Sequence, residues 1–186
     1  MPITIVEHPL ARHHLTVLRD RATGAEEFRR TARRIAYLLV AEATSDVAVE
    51  EREIETPLES ATGHRLAKGI VAVAVLRAGV GLLEAAVDLL PGVRVGYVGV
   101  ERNEETAEPI EYYTKFPPMD DARVLVLEPM LATGGSLSWA VEKVKQAGAR
   151  DITAVCVVAA PAGVEVLERD HPEVRIVAAA LDRDLD

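Results

Sequence analysis

The chain has 186 residues, 49% of them apolar and only 4% aromatic, with a formal net charge of −9. That length suits a single core packed from Ala, Val, Leu and Ile. The acidic balance argues against general nucleic-acid binding, which needs a broad cationic surface, yet leaves room for a small anionic ligand held by a few arginines and backbone amides.

No apolar run approaches the roughly 20 residues that cross a bilayer, and the N-terminus MPITIVEHPLARHH lacks a signal-peptide pattern. A soluble cytoplasmic protein without a membrane partner is expected. Cys156, the only cysteine, sits in the apolar run ITAVCVVAA, so it reads as a buried structural thiol and not as a nucleophile. The histidines at 8, 13, 14, 64 and 171 lack the spacings of zinc sites and read as ordinary surface residues, so no metal is expected from protein side chains.

In chain order, Phe28 to Glu42 is amphipathic with helical spacing, and Val47 to Leu58 resembles an irregular hairpin. Residues 1–65 therefore read as a helix-and-hairpin lobe against a sheet core over residues 66–186, all within one domain. From residue 70 the pattern changes. Apolar runs Ile70 to Leu76, Arg94 to Val100, Arg123 to Pro129, Ile152 to Ala160 and Val174 to Leu181 predict strands. Helical stretches follow three of them: Gly81 to Leu90, Ser136 to Gly148 and Gly163 to Arg169. In the second, Leu137, Ala140, Val141 and Val144 share one face and Gly148 suits the C-terminal cap. Continuous apolar strands separated by helices predict an α/β fold with a central, mostly parallel sheet flanked by helices. Ligands in such sheets lie beyond the carboxyl ends of strands, so the loops after Leu76, Val100 and Leu127 are the candidates.

The third of these loops carries the most chemistry. A strand ends at Glu128, a short loop closes on Thr133-Gly134-Gly135-Ser136, and a helix starts at once. The glycines let successive N–H groups face one concavity, Ser136 can cap the helix, and the helix terminus adds positive field. The Gly-Lys-Ser/Thr ending of a Walker loop is absent, as is G-x-G-x-x-G. A carboxylate beside a phosphate nest would repel phosphate unless it holds neutral hydroxyls. A ribose 5-phosphate answers both, its phosphate in the nest and its 2′- and 3′-hydroxyls on Glu128. A plain strand–turn–helix corner with a surface Glu explains the full string less well.

One arginine supports this reading, and a second does not by its residues alone. Arg77, in LRAGVGL, is the only basic residue between Lys68 and Arg94. It offers a planar fork for phosphate or diphosphate, with Gly79 and Gly81 permitting close backbone approach. Arg102 lies among glutamates in VERNEETAEP, where the residues alone fit an exposed acidic loop with one compensating charge. Trp139, Tyr112 and Tyr113 suit packing or oligomer contacts better than base stacking.

The run EPMLATGGS resembles the phosphoribosyl pyrophosphate (PRPP) motif of the type I phosphoribosyltransferases, in particular the uracil branch. HPLARHHL, FRRTARRIAYLLVAEAT, LRAGVGL and ERNEETAEPIEYYTKFP are similar to the same branch in colinear order. The resemblance implies that Glu128, Pro129, Met130, Leu131, Ala132, Thr133, Gly134, Gly135 and Ser136 bind PRPP. It further implies that Arg77 and Arg102 stabilise the departing diphosphate, with Asn103 to Thr106 on a mobile loop. Magnesium would arrive bound to PRPP, uracil would be the acceptor, and the assembly would be a homodimer or larger, with a response to GTP left open. Glu128 stands where the family usually has Asp, which keeps the charge and lengthens the reach. The family's base-binding segment, rich in Gly, Pro and Asp, is expected beyond Asp186, so the uracil contacts are not among these residues. Two other readings remain: a non-catalytic PRPP-binding sensor, and phosphoribosyl transfer to another nucleobase.

Overall fold

The structure, a computed structural model, describes residues 3–90, 92–102 and 109–183. In chain order its elements are β1 (Thr4–Ile5), α1 (Pro9–Arg19), α2 (Ala25–Ala43), β2 (Val49–Glu55), β3 (Ser60–Leu66), β4 (Gly69–Leu76), α3 (Val80–Leu89) and β5 (Arg94–Arg102). Then follow β6 (Pro109–Lys115), β7 (Ala122–Leu127), β8 (Met130–Leu131), α4 (Gly135–Gln146), β9 (Asp151–Ala159), α5 (Pro161–Asp170) and β10 (Arg175–Leu181). The main sheet runs β1-β10-β9-β7-β4-β5-β6, with β8 also paired to β9. Each pairing in it is parallel except β5 with β6. A mostly parallel sheet flanked by helices is the α/β fold expected.

Strand periodicity splits the apolar residues cleanly between two layers. Ile70, Ala72 and Ala74 of β4, with Leu125 and Leu127 of β7, pack under α1, α2 and α3. Val71, Val73 and Val75, with Val124 and Val126, pack under α4 and α5. In α2 the buried positions Thr31, Ile35, Ala36, Leu39, Val40 and Ala43 form one helical stripe. In α4 the four residues named from the sequence are the buried face. Gly148, at φ 99°, ends α4 in a Schellman turn: its N–H donates to Lys145 O and that of Ala149 to Val144 O.

Several expectations need correction. The irregular hairpin over Val47 to Leu58 is a regular antiparallel ribbon extending to Leu66, and Leu58 belongs to its turn. The polar segment after β5 contains a strand, β6, which pairs antiparallel along β5. Helix α1 lacks a strong sequence signal, since its N-cap is His8, whose Nδ1 accepts from Leu10 N–H at 3.1 Å. His171 is not a surface histidine; it is only 4% exposed. At the amino edge of the sheet, Arg123 and Arg175 both bind Asp46, at 2.8 and 3.0 Å. These pairs fix the end of α2 to the sheet and leave the carboxyl edge for a site.

Candidate functional site

The chain enters the middle of the sheet at β4, steps to β5 on one side, then returns to β7 on the other. Loops leaving β4 and β7 therefore diverge from a point where strand order reverses, the place where open α/β sheets open a crevice. The two loops touch. A Cβ on Gly79 would overlap the Leu127 carbonyl oxygen and stand 2.7 Å from Val75 N, so only glycine lets them approach. Gly81 differs: among the described residues nothing lies within 4 Å of its would-be Cβ, so the close approach expected at both glycines is seen at Gly79.

The β7–α4 segment is fixed by backbone pairing. Pro129 turns toward the sheet, its carbonyl accepting from Val157 N–H at 2.9 Å and Val158 N–H at 3.1 Å. Met130 and Leu131 form β8, and the Leu131 carbonyl accepts from Ala160 N–H at 2.8 Å. Gly134 is left-handed, at φ 83°, and wedged 3.0 Å from Gly163 O of α5, measured from the Cβ it lacks. It is also the N-cap of α4, so Ser136 does not cap the helix but lies within its first turn. Because a glycine caps α4, the cap residue offers no side chain to the opening amides, and the first turn holds no acid. The first helical bond runs from Ser138 N–H to Gly134 O at 2.8 Å. The N–H groups of Gly135, Ser136 and Leu137 have no acceptor within the helix, which leaves a polarised anion site.

Glu128, the loop from Met130 to Gly134, Ser136 and Leu137 line one cavity of about 140 Å³. Glu128 continues the β7 alternation onto the α4 side, beyond Val124 and Val126. Its Oε2 is buried and meets no hydrogen-bond partner among the described residues. Burial pushes this carboxyl up to about 7. Cys156 on β9 is fully buried nearby; burial first, and the Glu128 charge second, push its thiol up, as suits a packing residue.

Arg77 is exposed at the end of β4, after a cis Leu76–Arg77 peptide, and does not line this cavity. Arg102 ends β5, where its backbone pairs with Pro109; Asn103 to Thr106 lie outside the described residues. The strands carrying Arg77, Arg102 and Glu128 are consecutive neighbours in the sheet, so all three positions share its carboxyl edge. Trp139 is half-buried against the α4–α5 core, with Lys143 Nζ 5.0 Å from its ring centre. Among the described residues no group of three His, Cys, Asp or Glu stands ready to hold a metal ion. The residue that sequence reading missed is His171, which binds Ser138 in the first turn of α4. No local signal marks it, because its burial comes from α4 packing across α5.

The model of the family described as uracil phosphoribosyltransferase matches residues 5–186. The chain belongs to the uracil phosphoribosyltransferase family. A protein of that name from Salinibacter ruber is 45% identical over 185 residues, spanning 99% of this chain and 88% of its own length. Another, from Agrobacterium fabrum, is 46% identical over 186 residues, covering 99% of this chain and 89% of its own. Among solved structures, a protein from Aquifex aeolicus superposes with a TM-score of 0.94 at 35% identity, covering 100% of this chain and 89% of that one. A purine phosphoribosyltransferase from Pyrococcus horikoshii, at 17% identity and a TM-score of 0.58, shares the fold. No described helix is long and apolar enough to cross a membrane.

Proposed function

We propose that this protein catalyses attack of uracil N1 on C1 of PRPP, giving UMP and diphosphate in pyrimidine salvage. One observation carries the reading: a glycine-capped, acid-free helix start and a carboxyl oxygen, Glu128 Oε2, that is buried without a partner among the described residues share a single small cavity. The amides take an anion and the carboxyl takes hydroxyl donors. A ribose 5-phosphate presents both groups on one rigid ring. In this reading Glu128 holds the 2′- and 3′-hydroxyls, while the turn from Thr133 to Ser136 and the start of α4 hold the 5-phosphate. Pro129, Met130, Leu131 and Ala132 set the spacing between the two ends through their pairing with β9.

Bond breaking at C1 develops oxocarbenium character, so catalysis rests on positioning and on stabilising the departing anion. Arg77 and Arg102 take that part at the neighbouring strand ends. Magnesium would come bound to the diphosphate of the substrate and would supply charge shielding there, with Arg77 and Arg102 as the chain's own contribution. No side-chain nucleophile is required, in keeping with the inert thiol of Cys156. The same reading makes this a cytoplasmic, single-domain enzyme of at least two subunits, which light scattering tests directly; an active monomer would contradict it.

The deciding experiment is incubation of the protein with PRPP, magnesium and uracil, following UMP and diphosphate. Turnover with uracil is the expected result. Turnover with a purine instead would overturn the assignment, and PRPP binding without any turnover would make the protein a sensor.

A further inference from the structure

We propose that His171 is a positioning residue for the phosphate cradle, acting through Ser138 on the first turn of α4. The inference rests on the reading of that turn as the 5-phosphate site.

His171 follows α5 directly, and its backbone N–H closes the helix on Leu167 O at 2.8 Å. Its imidazole is buried between α5 and α4. Nδ1 faces Lys145 Nζ at 3.2 Å, while Nε2 lies 3.0 Å from Ser138 O and 3.1 Å from Ser138 Oγ. An ammonium has only donors, so Nδ1 must accept, and the ring hydrogen of the neutral imidazole sits on Nε2. Nε2–H then donates to the Ser138 carbonyl. Lys145 is itself oriented by an ion pair with Glu173.

This tautomer removes a tempting alternative. Ser138, His171 and Asp170 lie together, with Ser138 Oγ 3.4 Å from Asp170 Oδ2. A nucleophilic serine needs an imidazole nitrogen that accepts its proton and an acid on the other nitrogen. Here Nε2 is a donor and a lysine occupies the far side. The cluster holds a helix end and does not activate a hydroxyl.

What it holds is the cradle. Ser138 N–H is the first helical donor, bonded to the carbonyl of left-handed Gly134, and the carbonyl and hydroxyl of the same residue meet His171. The path from imidazole to cradle glycine is therefore two hydrogen bonds long. At its other end α5 supports the loop sterically. A Cβ on Gly163 would stand 2.6 Å from Ala132 O, and one on Gly134 would stand 2.9 Å from Val166 Cβ. Thus α5 grips the loop with its first turns and the start of α4 with His171. The orientation of the amides at the start of α4 follows from both grips.

Calorimetry with ribose 5-phosphate and, separately, with magnesium diphosphate tests this. Replacing His171→Leu removes the donor, and losing one such bond should weaken ribose 5-phosphate about fivefold while leaving diphosphate within about twofold. His171→Gln, which carries an amide donor equally far along the side chain, should restore the parent affinity. Lys145→Met, at a side chain 32% exposed, frees the tautomer and should weaken ribose 5-phosphate alone by about twofold. If His171→Leu does not fold, this last variant decides. Unchanged ribose 5-phosphate affinity, equal weakening of both ligands, or no rescue by Gln would overturn the inference. A parent that binds diphosphate but no ribose 5-phosphate would overturn the functional reading, and this inference with it.

Discussion

The central strands and the β2–β3 hairpin are both regular ladders, but different forces hold them. In β4 the residues from Ile70 to Val75 are buried on both faces between helical layers. In β2 every residue is exposed, and Glu51, Glu53 and Glu55 alternate along one face beside Thr62 and Ser60. The hairpin keeps its register through its pairing and a turn in which Thr56 Oγ1 donates to Glu59 O at 2.7 Å. An isolated two-stranded ribbon is marginal in water, whereas a sheet covered on both faces is the most resistant part of a fold. The candidate site stands on the resistant part. Its loops can be irregular, with left-handed Gly134 and three amides that have no acceptor within the helix, because β7 and β9 beneath them are paired and buried.

The largest expected effect probes that support. Leu127→Ala deletes a fully buried side chain at the foot of the cradle and should cost about 2–5 kcal/mol in denaturant unfolding. A cost no greater than that of a hairpin substitution would erase the contrast between the two regions.

Next comes Glu128. Its carboxyl ionises near 4.5 when unfolded and at about 7 when folded, so folding favours the protonated form. The Glu128 contribution to stability is therefore fully present below about pH 4.5 and is lost as pH rises through 7, by at most roughly 3 kcal/mol. Glu128→Gln cannot ionise. Thermal melts should match the parent near pH 4 and exceed it near pH 8, while ribose 5-phosphate binding weakens throughout. Parallel melting profiles for the two proteins would remove burial as the source of the shift.

Gly134→Ala should cost about 1–2 kcal/mol for the left-handed backbone, with a further cost from Val166, and should lower ribose 5-phosphate affinity. Calorimetry that found affinity intact would detach the cradle from the phosphate. The smallest effect belongs to the hairpin. Leu58, 96% exposed at its tip, should tolerate Leu58→Ser within about 0.5 kcal/mol. Hydrogen exchange should place β2 and β3 among the fast amides and β4, β7 and β9 among the slow ones. Slow exchange in the hairpin would mean that something covers it in solution.

Local order explains which features were legible in the sequence. The runs that became β4, β7, β9 and β10 are apolar on both faces, so they announce burial without any knowledge of the neighbours. The α4 stripe of Leu137, Ala140, Val141 and Val144, with Gly148 beyond it, likewise contains its own evidence. Strand β6 was hidden because its side chains carry no buried apolar stripe, and its Ile110, Tyr112 and Tyr113 are exposed. Ser136 looked like a cap because the residue type fits. Gly134 took that position because only glycine tolerates φ 83° against Gly163 and Val166.

The sequence by itself determined an acid, a glycine turn and a helix start in one string, and with them the chemistry on which the proposed ribose 5-phosphate site rests. Tertiary structure decided the rest. It set the loops of β4 and β7 against each other at Gly79 and placed Arg77 outside the small cavity. It also buried His171 under α4 and left Glu128 Oε2 without a partner among the described residues. These depend on strand order and on helices packing across the sheet, and so on contacts between residues far apart in the chain, which no local pattern encodes.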